Sequence, residues 1–523
     1  MSSDVDLDIL VRQLSSHNPW WNEGSQPLED TLPARQKSDF YHLVRPDEPS
    51  TQFEDSNVVG LVGQHGVGKT TLLKQFIHYQ LTEGMAPERF CYIPFDANAL
   101  YQLQSTDQLR AVLNYYDGRI LGRLAEPDPH FLLLDDVHRI AHPDKPSVEG
   151  WGTFVSDVVD ESDGRNIVVA AAATEQIEKE LSRTGFPDED IDTQPILPEK
   201  FRDHIFDRYP GLEEGDTRVS PTPLRTGEGS LPTAIRRNDP ARVAETIRNQ
   251  YQRVADASRQ IQSQVAHYLA LGGVLSYVAG DGIADIADVD PDAYQLLYRN
   301  LTATLYQDAP SLESLQTVAD LERVCALAAE NRGADPIRFQ HLVDLFDVDR
   351  RTIRDSYLSV LEQLFVLTGV TEYDNQRPRS VRLFLRDTGM VSALNGYDPT
   401  AVRQDFEYEA DLARIAAFDH TMRFAYGINA TQGIDAPPRV QYWRGRYGEI
   451  DFVFEVDGTP VPITMAYQTG MDDAIDALEE FHAAYGTQVG FILTGDTVSA
   501  AGEIEVIEDG IVTVPYWLYL LLC

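Results

Sequence analysis

The chain has 523 residues and carries 83 Asp and Glu against 43 Lys and Arg, a formal net charge of −40. Its length admits three or four domains, and 43% hydrophobic content supplies cores large enough to exclude a disordered acidic chain. The acid excess, with lysine confined to Lys37, Lys69, Lys74, Lys145, Lys179 and Lys200, predicts adaptation to a high-salt cytoplasm and excludes nucleic-acid binding except through a local basic patch.

Cys91, Cys325 and Cys523 form neither a disulfide framework nor a CxxC metal pattern. The opening MSSDVDLDIL lacks the basic and apolar parts of a signal peptide, and the closing WLYLLLC is too short to span a bilayer, so the expected location is cytoplasmic, with no membrane partner.

Residues 1–55 read as a polar arm, containing NPWW at 18–21, that packs onto the adjoining domain. From 56 to 208, apolar strands alternate with helical stretches, the pattern of a parallel α/β sheet. Within it, NVVGLVGQHGVGKTTLLKQF runs strand (Val58 to Val62), glycine-rich loop, helix (Thr70 to Gln80). This is the context that a G-x-x-x-x-G-K-T phosphate loop demands. Gly63, Gly66 and Gly68 let backbone N–H groups face phosphates, with Gln64, His65 and Val67 completing the cradle. The helix N-terminus adds a favourable dipole. Lys69 is expected to reach the β- and γ-phosphates, Thr70 to ligate Mg2+ and Thr71 to lie near the α-phosphate, which makes ATP and Mg2+ the expected ligands.

RFCYIPFDANA gives a second strand, with Asp96 at its end. HFLLLDDVHRI gives a buried strand ending in an acid pair, in which Asp135 is expected to hold Mg2+ and Asp136 to polarise the attacking water. NIVVAAAATEQIEKEL gives a further strand, Ile167 to Ala172, with Thr174 at its end as either a γ-phosphate sensor or a helix N-cap. Arg183, Arg202, Arg236 and Arg237 come after it as surface arginines or arginine-finger candidates. A Pro-, Gly- and Thr-rich loop from Tyr209 to Pro232 and helical periodicity after it make 209–330 a loop insertion with a helical lid.

Residues 331–395 read as helix, turn, helix and two strands. Asp349 is placed to cap the second helix, whose apolar face carries Ile353, Tyr357, Leu361 and Leu364. Arg350, Arg351 and Arg354 open its outward face, and Arg377, Arg379 and Arg382 lie on the strand pair, so these are the candidate DNA contacts of a winged helix; packing alone is the other reading. The remainder, 396–523, is mixed α/β and includes EIDFVFEVDGTPVPITMAY, a strand, an Asp457-Gly458 turn and a strand.

In order along the chain, these elements resemble the AAA-type archaeal and bacterial ATPases that carry a C-terminal domain of unknown function called DUF4143. After the phosphate loop and LLLDDVH, the resemblance rests on ILPEKFRDHIF, YLALGGVLSYV, LYQDAP, TIRDSYLSVLEQLFVL, VRLFLRDTGMVSAL and WRGRYGEIDFVFEVDGTPVPITMAY. Gly272 and Gly273 match the family's glycine pair, and Asp387, Gly389 and Met390 match its Asp-x-Gly-Leu element. The resemblance implies an α/β P-loop NTPase sheet with helical lid, a winged-helix domain and a C-terminal restriction-endonuclease-like domain. Sites of that last kind use a helix Glu, a strand Asp and an E-x-K on the next strand. Glu409 and Asp451 correspond to the two acids, whereas Thr464 and Ala466 stand at the E-x-K positions, and no lysine comes after Lys200. The expectation is a nuclease scaffold without its chemistry. The favoured function is an ATPase whose nucleotide state moves the winged-helix and nuclease-like module. An ATP-gated DNA-binding switch with little turnover is the alternative, and an active ATP-dependent nuclease ranks third.

Overall fold

In a computed structural model of the chain, the described residues are 3–33, 43, 58–95, 106–139, 150–161, 164–184, 191–209, 231–279, 286, 289, 292–313, 317–430, 438–467, 470–495, 504–507 and 510–523. Asp96, and positions 210–230 of the loop read from composition, lie outside them. The chain forms two compact units. The first comprises Met1–Leu197, Arg299–Glu322 and Ser359–Val366; the second comprises Pro198–Tyr298, Arg323–Leu358 and Leu367–Cys523.

The first unit is built on a five-stranded sheet of β1 (Val58–Val62), β2 (Phe90–Pro94), β3 (His130–Asp135), β4 (Arg165–Ala171) and β5 (Ile191–Pro195). All pairs are parallel, and the spatial order is β2-β3-β4-β1-β5. A parallel strand covered on both faces reads as an apolar run, and β1 to β4 are buried along their whole lengths. The phosphate-loop strand β1 lies between β4 and β5, and β4, the middle strand, separates it from β3.

The amino-terminal segment covers the edge strand. After helix α1 (Ser3–His17), the buried Asn18 side chain donates to Tyr92 O (2.8 Å) and accepts from Tyr92 N (2.7 Å). The indoles of Trp20 and Trp21 both donate to Phe90 O. These bonds satisfy β2's outer polar groups, which would otherwise invite pairing with another chain.

In the second unit, helix α4 (Val265–Ala279) is broken at Gly272 (φ 69°, ψ 179°). (Helices α2, Lys69–Thr82, and α3, Thr174–Ser182, belong to the first unit.) The buried Asp387 fills the break: Oδ2 accepts from Val274 N (3.1 Å) and Oδ1 from Met390 N (3.0 Å). Its carboxyl, capping the helix Thr388–Asn395, is pushed up to about 6 by burial, against those N–H bonds. A three-stranded sheet comes next, of β6 (Ile337–Arg338), β7 (Leu367–Val370) and β8 (Ser380–Leu385) in the order β6-β8-β7. Between β6 and β7 come α5 (Phe339–Phe346), a turn with Asp347 at φ 53°, and a second helix that starts π-helical over Thr352–Leu358; its continuation, Ser359–Gln363, belongs to the first unit. Asp349 caps that helix through Thr352 N (2.7 Å), and Ile353, Tyr357, Leu361 and Leu364 are buried, as the apolar pattern predicts.

The C-terminal part runs from helix α6 (Phe406–Ala430) through β9 (Gln441–Arg444), β10 (Glu449–Val456), β11 (Thr459–Ala466), helix α7 (Met471–Tyr485), β12 (Gly490–Thr494), β13 (Val506–Ile507) and β14 (Ile511–Pro515). The sheet order is β13-β14-β12-β11-β10-β9, antiparallel from β9 to β11 and parallel from β11 through β12 to β14. Asp457 (φ 52°) and Gly458 (φ 74°) make the tight turn between β10 and β11. Phe418 of α6 stacks on Phe384 of β8 at 4.3 Å and meets Phe452 of β10 at 6.0 Å. Among the described residues, no helix is long and apolar enough to cross a membrane.

A Cβ on Gly272 would lie 2.2 Å from Asp387 Oδ1 and 2.6 Å from Gly389 N, at a φ that L side chains avoid. Gly272→Ala is therefore expected to destabilise the protein by about 2–3 kcal/mol, read as a lowered thermal midpoint of the full chain; an unchanged midpoint would contradict the packing described.

Candidate active site

The phosphate loop leaves β1 at Val62 and enters α2, whose first residue is Lys69, one position earlier than the sequence pattern suggests. Gly66 (φ 80°) and Gly68 (φ 103°) adopt the left-handed conformation that turns successive N–H groups inward. Gln64 and Val67 are buried and anchor the loop, while His65 and Gly66 form its outer turn. Lys69 is buried, and its ammonium donates to Gly63 O (2.6 Å) and Gln64 O (3.2 Å). Thr70 and Thr71 are half-buried in the first turn of α2.

Asp135 ends β3. Its Oδ2 accepts from the Thr70 hydroxyl (2.7 Å) and the Tyr92 phenol (2.8 Å). Its Oδ1 is buried and has no hydrogen-bond partner among the described residues. Burial, then the neighbouring Asp136 charge, raise the Asp135 carboxyl above the usual range, opposed by the Thr70 and Tyr92 bonds and by Lys69. An orphaned carboxylate oxygen beside a threonine hydroxyl is the hard-oxygen donor set that Mg2+ takes, together with waters and phosphate oxygens. Thr70 and Asp135 therefore fit the ion. Asp136 turns out of the strand at φ 57°, with its side chain 11% exposed.

Thr174 is the first residue of α3, not its cap. The N-cap is Ala173, and Gln176 at the third helical position reaches back to accept from Ala172 N (2.9 Å) and Ala173 N (3.0 Å). The N-cap reading of Thr174 fails because the helix begins one residue earlier, and Gln176 is then in the position that a capping box needs. Of the arginine-finger candidates, Arg183 is 74% exposed beside Glu180, and Arg202, Arg236 and Arg237 belong to the second unit.

Sequence reasoning missed a set of groups around the loop. His65 N donates to Thr304 Oγ1 (3.1 Å), and a Cβ on Gly66 would fall 2.0 Å from the Asn300 amide. His138 Nε2 and Asp308 Oδ1 lie 2.9 Å apart, both side chains 2% exposed. The Arg139 guanidinium lies 3.9 Å from Asp136 and 3.6 Å from Asp308. Burial would raise the Asp308 carboxyl, but the His138 bond and the charges of His138, Lys69 and Arg139 hold it below the usual range. Burial lowers His65, so its ring is neutral near pH 7 and Nδ1 can accept from Arg139 (3.4 Å). The signal was present: His138 and Arg139 follow the acid pair after Val137, and Asp308 lies in LYQDAP.

In the second unit the other expected residues separate. Arg351 and Arg354 are 86% and 64% exposed and both pair with Asp355. Arg350 stacks on Phe339 (4.5 Å) and donates to Pro378 O. Arg382, read as part of the basic patch, is instead buried and paired with Glu449, because its side chain points from β8 toward β10 and away from solvent. Glu409 accepts from the Tyr467 phenol (2.9 Å). Asp451 accepts from Met465 N (2.9 Å) and Thr464 Oγ1 (3.2 Å) and faces Arg414 (3.4 Å).

A parallel sheet in the order β2-β3-β4-β1-β5, with a glycine-rich loop after β1 and an acid pair after β3, is the arrangement of a P-loop NTPase fold. Residues 55–192 match the family described as AAA domain, and residues 285–401 match a domain of unknown function, DUF8612. The match to the later region is thus to DUF8612, where the sequence motifs resemble DUF4143. Over 347 residues the chain is 20% identical to the uncharacterized protein MJ1637 of Methanocaldococcus jannaschii, covering 65% of this chain and 62% of that one. The chain thus spans less than two thirds of that relative's length. Among solved structures, the Walker-type ATPase paby2304 of Pyrococcus abyssi is 11% identical with a TM-score of 0.34, covering 69% of this chain and 99% of that one. The ORC1 protein of Aeropyrum pernix in complex with DNA is 12% identical with a TM-score of 0.27, covering 73% of this chain and 98% of that one.

Gly66→Ala is expected to cost about 1–3 kcal/mol through the left-handed backbone alone, and to weaken ATP binding measured by calorimetric titration. Unaltered binding and melting would contradict the loop geometry.

Proposed function

We propose that the chain binds Mg-ATP and hydrolyses it to ADP and phosphate. The observation that carries this reading is the meeting of Thr70 and Asp135 beneath the phosphate loop, with one carboxylate oxygen left unpartnered in a buried position. Thr70 and Asp135 would hold Mg2+, which supplies electrostatic stabilisation of phosphate charge when bound. Gly63 to Gly68, Lys69 and Thr71 bind and orient the phosphates. Asp136 accepts the proton of the attacking water, and Thr174, at the start of α3, positions that water or the γ-phosphate. The organisation we propose is an arm (1–55), the ATPase domain (56–208), a loop insertion and lid (209–330), a winged helix (331–395) and a nuclease-like scaffold (396–523), in a cytoplasmic protein of high-salt cells. The order of motifs that resembles the DUF4143-bearing ATPases supports this, as does the β6-β8-β7 sheet behind two helices. The nucleotide state would then move the winged-helix and nuclease-like module.

Lys69→Ala is expected to weaken ATP binding about tenfold or more and to abolish phosphate release. Asp136→Asn is expected to lower kcat by about 10²-fold or more with ATP affinity retained. Phosphate release unchanged in both variants would refute the reading.

A second reading, an ATP-gated DNA-binding switch, is favoured by the exposure of Arg351 and Arg354 at the start of a helix-turn-helix second helix. Its restraint is Asp355, which already pairs with both. Reversing Arg350, Arg351 and Arg354 to Glu should abolish salt-dependent retention of a fluorescent duplex; retention at wild-type strength would eliminate this reading. Cleavage of DNA is disfavoured: Asp451 and Glu409 are engaged by Arg414 and Tyr467, and Thr464 and Ala466 supply no base.

A further inference from the structure

Arg139 closes the short turn Val137–Arg139 that comes after the acid pair. Its guanidinium is 19% exposed and lies among three groups of the candidate site. These are Asp136 (3.9 Å from Nε), Asp308 (3.6 Å from Nη2) and the phosphate-loop residue His65 (3.4 Å from Nη2). None of these is the short bidentate pairing that an arginine makes with a committed carboxylate partner. The Nε is buried and makes no hydrogen bond among the described residues. The tight contact belongs to its neighbour: His138 holds Asp308 at 2.9 Å, almost fully out of water. Asp308 is thereby held beside the guanidinium.

We propose that Arg139 is the cation that contacts the γ-phosphate of ATP from within the same chain, and that the buried Asp308–His138 pair positions it. The inference rests on the ATPase reading and adds the group that reading lacks. A transferred phosphoryl group spreads charge over three oxygens, and a guanidinium fork matches two of them at once. In the step, the water oxygen forms a bond to Pγ as the Pγ–O bond to ADP breaks, and the electron pair stays on the ADP oxygen. The water proton passes to Asp136 and then to solvent, and Arg139 keeps its protons throughout. Asp308 supplies the countercharge that keeps a partly buried guanidinium tolerable before nucleotide arrives.

The test measures phosphate release and the affinities for ATP and ADP in molar KCl, using full-length wild type, Lys69→Ala, Arg139→Ala, Arg139→Gln, Asp308→Ala and the Arg139→Ala/Asp308→Ala double variant. Arg139→Ala should lower kcat by about 10²–10³-fold and weaken ATP while leaving ADP affinity within about twofold, since only ATP has the γ-phosphate. Arg139→Gln, close in size and uncharged, should do the same and serves if the alanine variant fails to fold. Asp308→Ala should lower kcat about tenfold alone and by nothing further on the Arg139→Ala background, the signature of two residues acting as one. Wild type and Lys69→Ala releasing phosphate alike would overturn the ATPase reading itself. Turnover lost in Lys69→Ala but kept within twofold in Arg139→Ala and Arg139→Gln would overturn this inference alone. So would equal weakening of ATP and ADP, or additive losses in the double variant.

Discussion

The hydrogen bond from the Thr70 hydroxyl to Asp135 joins two points that are 65 residues apart in sequence. It requires that the loop after β1 and the end of β3 lie at the same edge of the sheet, with β4 between them. That placement requires parallel strands buried on both faces, and hence the apolar runs VVGLV and HFLLLD. It also brings the Tyr92 phenol from β2 onto the same carboxylate oxygen, so groups from β2 and α2 converge on the end of β3. The arm then matters at a distance: Asn18, Trp20 and Trp21 fix β2, and β2 carries Tyr92. Asp135 sits out of water, with its carboxyl raised by burial and by Asp136. A divalent cation at Oδ1 would relieve that cost, which makes the position unfavourable as plain structure and favourable as a metal ligand.

Local pattern revealed the β1–loop–α2 unit and the acid pair, because each element there is encoded by adjacent residues: glycines for the turn, apolar runs for buried strands. The groups that complete the site come from a segment more than 160 residues downstream of the acid pair, and no local periodicity connects Asp308 to His138, or Thr304 to His65. Thr174 illustrates a smaller failure. Its side chain is a natural cap, but Gln176 already serves two strand-end N–H groups, so the helix starts at a residue with no capping side chain.

In the second unit, the glycine pair and the Asp-x-Gly element, far apart in the chain, prove to be one device: Gly272 breaks a helix so that Asp387 can bond its freed N–H. The capped helix-turn-helix and the Asp457-Gly458 turn were legible from spacing alone. Arg382 was not, because alternation along a short strand does not reveal which face meets another sheet. Its pairing with Glu449, and that of Arg414 with Asp451, put guanidinium groups beside the acids of the hairpin EIDFVFEVDGTPVPITMAY. Such pairs hold the hairpin against its neighbours and leave its carboxylates committed to structure.

The most direct test of the central claim, that Thr70 and Asp135 form a Mg2+-dependent nucleotide site, is a calorimetric titration of the wild-type chain with ATP in molar KCl, with Mg2+ and with EDTA. The account predicts saturable one-site binding that Mg2+ strengthens about tenfold or more, the effect of one good charge-assisted contact. Binding of equal strength in EDTA, or no binding with Mg2+ present, would contradict it.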